Sequence, residues 1–292
     1  MISNRIGPIL DCLTHSKDPC PVFDDTVWHI YGTCLDSLRW RVLHATSTVI
    51  QGPYKQEPCI DVNIDSPAAC APGVLYRNGV FHMYMQTEFF KVGGKILYLT
   101  SIDGCNFDLV DTALDSGPGT HEAGINDSHP TTVNGRLYMT YSGFPEGRSI
   151  QGDIYLASAD SFGGPWTRLG KILDHGEVPC HNPKDSPDYE WGLEGAQILQ
   201  VGSSVLLTCV VFLPSGRKGT RQRAAFFLAD DISGPYKFLG LLEPSAGWEG
   251  GENGHACAVM HEGAVKLFYQ ANSTSGDRWS YGLADFNVPS GT

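Results

Sequence analysis

Three carboxylates and one histidine stand at matching distances before predicted hairpin turns. Asp18, Asp127, Glu194 and His255 lie seven or eight residues upstream of turns at positions 25, 135, 202 and 263. Carboxylates gathered in one place repel each other, which raises the pKa of one and leaves another ionised. A neutral acid beside a charged base can hydrolyse a glycosidic bond. Each residue alone is explained by loop capping, but the matching offsets of the set favour a site.

A repeated pattern of a turn followed by an alternating apolar strand organises the chain around these residues. It recurs five times, at 24–33, 78–87, 134–143, 202–212 and 262–271. Asn-Gly between apolar runs is a strong hairpin signal, and further short strands lie before and after each hairpin. Four antiparallel strands per unit predict an all-β fold, a five-bladed β-propeller. The alternative is a β-sandwich with coincidental hairpins.

The five units predict a single domain over residues 1–292. The last unit shows only three strands, so we expect the N-terminal segment 7–13 to supply its fourth strand and close the ring. The first strand of each blade lines the central channel. Five-fold geometry would therefore bring residues far apart in the chain into one shallow bowl, with Ala71 at the matching position of the second unit.

The same residues resemble the motifs of glycoside hydrolase family 43. The resemblance runs in order along nearly the whole chain, and it rests on Asp18-Pro19, Ala71-Pro72, Asp127, Glu194-Gly195 and Gly254-His255 before or within the hairpin units. It implies a five-bladed propeller and inverting hydrolysis. Asp18 would then be the general base, Glu194 the general acid and Asp127 the residue that tunes the acid. His255 would match a central histidine that orients water, a metal ion or the substrate.

Three motifs depart from the usual pattern of that family. Ser128 and His129 stand between Asp127 and the proline that the family places directly after the aspartate. Gly73 replaces an acidic residue after Ala71-Pro72, and Ala196 replaces the proline after Glu194-Gly195. These changes leave a second interpretation open, in which the scaffold serves another chemistry or binding alone.

Further residues are candidates for substrate binding. Trp191 precedes Glu194 in a Pro- and Asp-rich loop and is a candidate wall for a sugar, with simple packing as the alternative. His129 can bind substrate or order its loop. Arg278 can bind a hydroxyl or carboxylate, although a surface arginine is the simpler explanation.

Composition excludes several classes of partner. The 292 residues carry a net charge of −12, which disfavours nucleic acid, and no long apolar run predicts a membrane span. No leader peptide is recognised. The nine cysteines are scattered and form no CxxC pair, which predicts reduced thiols and, with no leader recognised, a cytoplasmic location. No zinc site is expected, because His121, His129 and His255 match no metal motif. We expect no cofactor, although a calcium ion or water near His255 suits the pattern.

The function predicted from these observations is hydrolysis of a short oligosaccharide or glycoside, with a small carbohydrate as the partner. The alternative is a non-hydrolytic carbohydrate-binding propeller, or a repurposed one with lyase- or cyclase-type chemistry. A protein-interaction propeller is a third interpretation, disfavoured by the clustered carboxylates. Neither a GxSxG nucleophile motif nor a nucleotide-binding glycine loop occurs in the sequence. The oligomeric state stays open.

Overall fold

The computed structural model describes most of the chain. The described residues are 1–12, 15–36, 39–60, 62, 64, 66, 68–88, 92–117, 119–146, 152–179, 192–213, 221–245, 247–273 and 279–289. They form 20 strands in five sheets, with two short 3₁₀ turns at His175–Glu177 and Gly247–Glu249. None of the described segments forms a helix that is long and apolar enough to cross a membrane.

Each sheet contains four antiparallel strands and forms one blade. Blade 1 is β2 (Ser16–Phe23), β3 (Trp28–Asp36), β4 (Arg39–Ser47) and β5 (Lys55–Gln56). Blade 2 is β6 (Cys70–Arg77), β7 (Val80–Gln86), β8 (Lys95–Ser101) and β9 (Asp108–Asp115). Blade 3 is β10 (Gly124–Val133), β11 (Arg136–Phe144), β12 (Asp153–Ala159) and β13 (Thr167–Leu173).

The two remaining blades complete the ring. Blade 4 is β14 (Leu193–Val201), β15 (Ser204–Leu213), β16 (Arg221–Ala229) and β17 (Lys237–Leu241). Blade 5 is β18 (Ala256–His261), β19 (Ala264–Asn272), β20 (Trp279–Phe286) and β1 (Ile2–Cys12). The predicted five-bladed propeller with four antiparallel strands per blade is confirmed.

The hairpins between the first two strands of each blade follow from local sequence. Asn78-Gly79 and Asn134-Gly135 both have positive φ at the two turn residues (53° and 81°, 50° and 77°). This is the type I′ turn, whose twist matches that of the flanking strands and which asparagine and glycine adopt most readily. These turns fix the register of the strands that carry the central residues.

Strand β1 occupies the outer edge of blade 5, where the sequence places segment 7–13. It pairs antiparallel with β20, so the two ends of the chain share one sheet. Arg5 on this strand lies 2.7 Å from the buried carboxylate of Glu249, which also accepts a hydrogen bond from Tyr269. A charged group buried in this way needs its partners, so these contacts hold the ring closed.

Apolar side chains fill the five spaces between neighbouring blades. Each of five hydrophobic clusters draws on two adjacent sheets, and one of them joins blade 5 to blade 1. Fully buried aromatic residues include Tyr31, Tyr84, Tyr141 and Phe268. Each aromatic side chain buries about 150–250 Å², so these layers contribute most to the stability of the fold. They hold the first strands of all blades around one axis.

Candidate active site

The first strand of each blade reaches the axis with one residue in a left-handed backbone conformation. These residues are Asp18, Ala71, Asp127, Gly195 and His255, with φ of 59°, 52°, 48°, 60° and 34°. In blades 1 to 4 the residue coincides with a register shift, a β-bulge that turns the strand at the channel mouth. Non-glycine residues held in this conformation cost of order 1–3 kcal/mol each and cluster at functional sites.

The structure corrects the equivalence of Glu194 with the other central residues. The left-handed position of blade 4 belongs to Gly195, so Glu194 lies one residue earlier, at the position of Lys17 and Asn126 in their blades. A Cβ atom at Gly195 would overlap Nδ1 of His255. Glycine at this position therefore gives the His255 ring the space it needs beside Glu194.

His255 joins two of the three predicted catalytic carboxylates. Its Nδ1 lies 2.8 Å from Oδ1 of Asp18, and its Nε2 lies 3.1 Å from Oε1 of Glu194. One imidazole ring therefore lies between the two carboxyl groups and holds them out of direct contact with each other. The side chains of His255 and Glu194 are buried, whereas Asp18 keeps 15% of its side-chain surface exposed.

Side chains from neighbouring strands fix the backbone of the two aspartates. The amide of Asp18 donates to Oε1 of Gln270, and the amide of Asp127 donates to Oε1 of Gln86, both at 2.9 Å. Thr33 donates its hydroxyl to Oδ2 of Asp18 at 2.5 Å. These residues were not predicted from the sequence, although both glutamines stand seven positions after the glycine of their hairpin. That shared offset was the available signal.

The three central ionisable groups have different proton affinities. Burial opposes ionisation of Asp18, but the charge of His255 and hydrogen bonds from His255 and Thr33 outweigh it and lower the pKa of Asp18. Burial, together with the charges of Glu194 and Asp18, holds the pKa of Asp127 well above its usual range. Burial disfavours the His255 cation, yet Asp18 and Glu194 raise the pKa of His255. The site thus combines a charged and a neutral carboxyl group.

Replacement of Asp127 by asparagine is expected to stabilise the protein at neutral pH. Because the folded-state pKa of Asp127 is raised, its stabilising contribution is complete below about pH 4 and is lost as the pH rises through the folded-state value. Urea unfolding at pH 4 and pH 7 measures this. Asp127→Asn should exceed the wild-type protein in stability at pH 7 and lose that advantage at pH 4.

The exposed Asp160 provides the control, since Asp160→Asn removes one negative charge outside the channel. A stability of Asp127→Asn below that of the wild-type protein at pH 7 would contradict the raised pKa.

A lysine and two further polar groups also surround the mouth and were not found from sequence. Nζ of Lys17 lies 3.7 Å from Glu252 and 4.9 Å from the ring centre of Trp279. Although burial disfavours the ammonium, Glu252 and Glu194 raise the pKa of Lys17. Gln222 donates to Oε1 of Glu194 at 3.0 Å. These groups add a cation and an amide to the acidic bowl.

The predicted substrate-binding residues fall in different places. His129 lines the axial cavity, a space of about 40 Å³ that opens to solvent, and its ring contacts the thiols of Cys20 and Cys257. It thus lies one layer deeper than Asp127, and its role toward substrate stays a prediction. Trp191 and Arg278 lie outside the described residues.

The carboxylates, rather than His255, are the groups that can meet a hard cation at the mouth. Calcium prefers oxygen ligands. Both ring nitrogens of His255 already lie beside carboxylates, so neither is available to a metal ion. Asp18 and Asp127 line the cavity and carry oxygens of the required kind. The calcium ion or water expected near His255 stays a prediction.

Solved structures of other proteins share this architecture. The catalytic domain of a Coprinopsis cinerea family 62 α-L-arabinofuranosidase superposes with a TM-score of 0.71 at 13% identity, covering 97% of this chain and 96% of that one. Native Bacillus subtilis arabinanase Arb43A gives 0.68 at 16% identity, covering 98% and 97%. A Bombyx mori family 32 β-fructofuranosidase gives 0.71 at 12% identity, covering 98% and 64%.

Comparison by sequence finds no match, whereas comparison by structure does. No protein-family model matches the chain, and no curated protein matches it. At identities of 12–16%, the structural likeness speaks for the fold. The chain therefore has the five-bladed β-propeller fold found in the arabinanases and fructofuranosidases of the glycoside hydrolases, as its resemblance to family 43 implied.

Proposed function

We propose that the protein is a glycoside hydrolase that cleaves a short glycoside by inversion. The observation that carries the proposal is the bridge from Asp18 through His255 to Glu194 at the channel mouth. It holds two carboxyl groups apart across one imidazole ring, and inverting glycosidases likewise keep their two carboxyl groups apart, by ~6.5–9.5 Å. The fold of arabinanases and fructofuranosidases supports the same conclusion.

In this proposal Asp18 is the general base. Its lowered pKa keeps it ionised at neutral pH, so it can accept a proton from the water that attacks the anomeric carbon. Thr33 and the Gln270 carbonyl fix its position. A base held by these two groups and by His255 needs little rearrangement during the reaction.

Glu194 is the general acid, and His255 stores its proton. An ionised Glu194 beside a His255 cation holds the same number of protons as a neutral Glu194 beside neutral imidazole. Transfer across the 3.1 Å between Nε2 and Oε1 supplies the acid that protonates the leaving oxygen. Asp127, neutral through its raised pKa, adds no negative charge near the developing oxocarbenium ion but can donate a hydrogen bond to the sugar.

A panel of aryl glycosides tests the proposal. Arabinofuranosides and fructofuranosides come first, because structural neighbours are named for these activities. We expect turnover of at least one furanoside, with proton NMR showing the inverted anomer as the first product. Retention of configuration would contradict the roles of Asp18 and Glu194, and lack of turnover across furanosides and pyranosides would contradict hydrolysis.

The ion pairs of His255 also favour a second candidate, a propeller that binds a carbohydrate without cleaving it. The carboxylates of Asp18 and Glu194 both pair with one cationic ring, which is a stable arrangement for binding hydroxyl groups. Calorimetric binding of a sugar that the protein leaves intact would support this candidate over hydrolysis.

A further inference from the structure

A second layer of the channel contains two thiols and one imidazole. Cys20, His129 and Cys257 each stand two residues after one of the central residues Asp18, Asp127 and His255. All three side chains line the axial cavity. Gln197 of blade 4 lines the same cavity, and Gly73 stands at the matching position of blade 2. The three blades thus place sulfur and nitrogen donors together.

The distances between these donors match a tetrahedral metal site. Nε2 of His129 lies 3.5 Å from Sγ of Cys20 and 3.7 Å from Sγ of Cys257, and all three atoms lie within 4.8 Å of one another. Zinc bonds of ~2.3 Å to sulfur and ~2.0 Å to nitrogen at tetrahedral angles give a sulfur–nitrogen separation of ~3.6 Å. The three donor atoms therefore surround a point at zinc-binding distance.

Hydrogen bonds behind the donors present the lone pairs to that point. Nδ1 of His129 lies 3.1 Å from the carbonyl oxygen of Pro130, which can only accept, so the proton resides on Nδ1 and Nε2 is left with its lone pair. The amide of Val74 donates to Sγ of Cys20 at 3.2 Å. Ligating histidines in metal sites nearly always donate their second ring nitrogen in this way.

We propose that Cys20, His129 and Cys257 bind a zinc ion in the axial channel, joining blades 1, 3 and 5. Two cysteines and one histidine are a known zinc ligand set, and the fourth position opens to the axial cavity. The ion is a structural clamp beneath the carboxylates. This inference is independent of the proposed hydrolysis, because the site needs no substrate.

Metal analysis of the full chain tests the proposal. Protein produced in zinc-supplemented medium and dialysed against metal-free buffer should retain zinc equimolar with the chain. After chelation, titration with Co²⁺ should give thiolate-to-cobalt charge-transfer absorption and the visible bands of tetrahedral cobalt, and added zinc should raise the Tm of the apo protein. Retention of no zinc with no cobalt charge transfer would overturn the proposal, as would a Cys20–Cys257 disulfide found by mass spectrometry in the purified protein.

Variants assign the ligands. Cys20→Ser and Cys257→Ser should each lower zinc affinity about 100-fold or more and abolish the rise in Tm with zinc. Cys105→Ser is the matched control, because Cys105 is an exposed thiol outside the channel and its loss should leave zinc content unchanged. Full zinc retention by both channel variants would overturn the assignment. If a variant fails to fold, the cobalt spectrum of the wild-type protein still decides the proposal.

Discussion

Glu194→Gln is expected to lower the hydrolysis of alkyl glycosides by about 10²–10⁴-fold while sparing glycosides with a strongly acidic phenol as the leaving group. The alkoxide needs a proton from the acid, whereas a dinitrophenolate leaves without one. Glutamine has the shape of glutamate and keeps an oxygen for the hydrogen bond from Gln222, so the fold should persist. Initial rates on the two substrate types measure the effect.

Asp18→Asn is expected to lower the hydrolysis rates of both substrate types, without sparing the dinitrophenyl glycosides. The base activates water whatever the leaving group, so its loss should lower both rates by similar factors. Glu252→Gln is the matched control for a nearby carboxylate: Glu252 lies beside Lys17 and Gln270, and its effect should be equal on both substrate types. Equal losses for Glu194→Gln on alkyl and dinitrophenyl glycosides would contradict its role as the acid.

Gly73→Ala is expected to destabilise the protein by about 3 kcal/mol, at the upper end of the cost of overpacking. A Cβ at this position would overlap the carbonyl oxygen of Ser128 and lie 2.6 Å from Cδ of Pro130 and 2.8 Å from Cα of His129. Most of these atoms belong to the backbone or to a rigid ring, so they cannot move aside. Thermal unfolding measures the loss, at roughly 2–4 °C per kcal/mol for a chain near this size.

Gly73→Asp introduces the acidic residue that family 43 places after Ala-Pro, and we expect it to destabilise at least as much rather than to add activity. Gly247→Ala is the control, since a Cβ there meets open space. A Tm for Gly73→Ala equal to that of Gly247→Ala would show that blades 2 and 3 can separate. The departure from the family pattern thus has a steric cause, the close approach of β6 to the backbone of β10.

Local patterns in the sequence were sufficient for the architecture. The type I′ turns at Asn78-Gly79 and Asn134-Gly135 depend only on residues that tolerate positive φ, and they recur at a spacing that a propeller requires. The predicted proximity of Asp18 and His255 followed from their offsets of seven and eight residues to predicted turns at positions 25 and 263. The offset misled at Glu194, because it was counted to Gly202, which is the first residue of its turn and the equivalent of Asn78 and Asn134, whereas in blades 2 and 3 it was counted to the glycine in second place.

Residues outside the recurring offsets could not be assigned from sequence. Lys17 reaches Glu252 across 235 residues, and no local pattern relates the two. Cys20, His129 and Cys257 are a second example. The absence of a CxxC pair led to the expectation of no zinc site, yet these three side chains meet because three blades contribute one each.

The sequence by itself determined the number of blades, their hairpins and which acidic residues approach the axis, because turn chemistry and strand alternation act over a few residues. The tertiary structure decided that Asp18 and Glu194 both contact His255. It also decided that Cys20, His129 and Cys257 meet in the axial cavity. Those relations depend on ångström-scale separations between blades, and these arise only when the apolar layers between all five sheets have closed the ring.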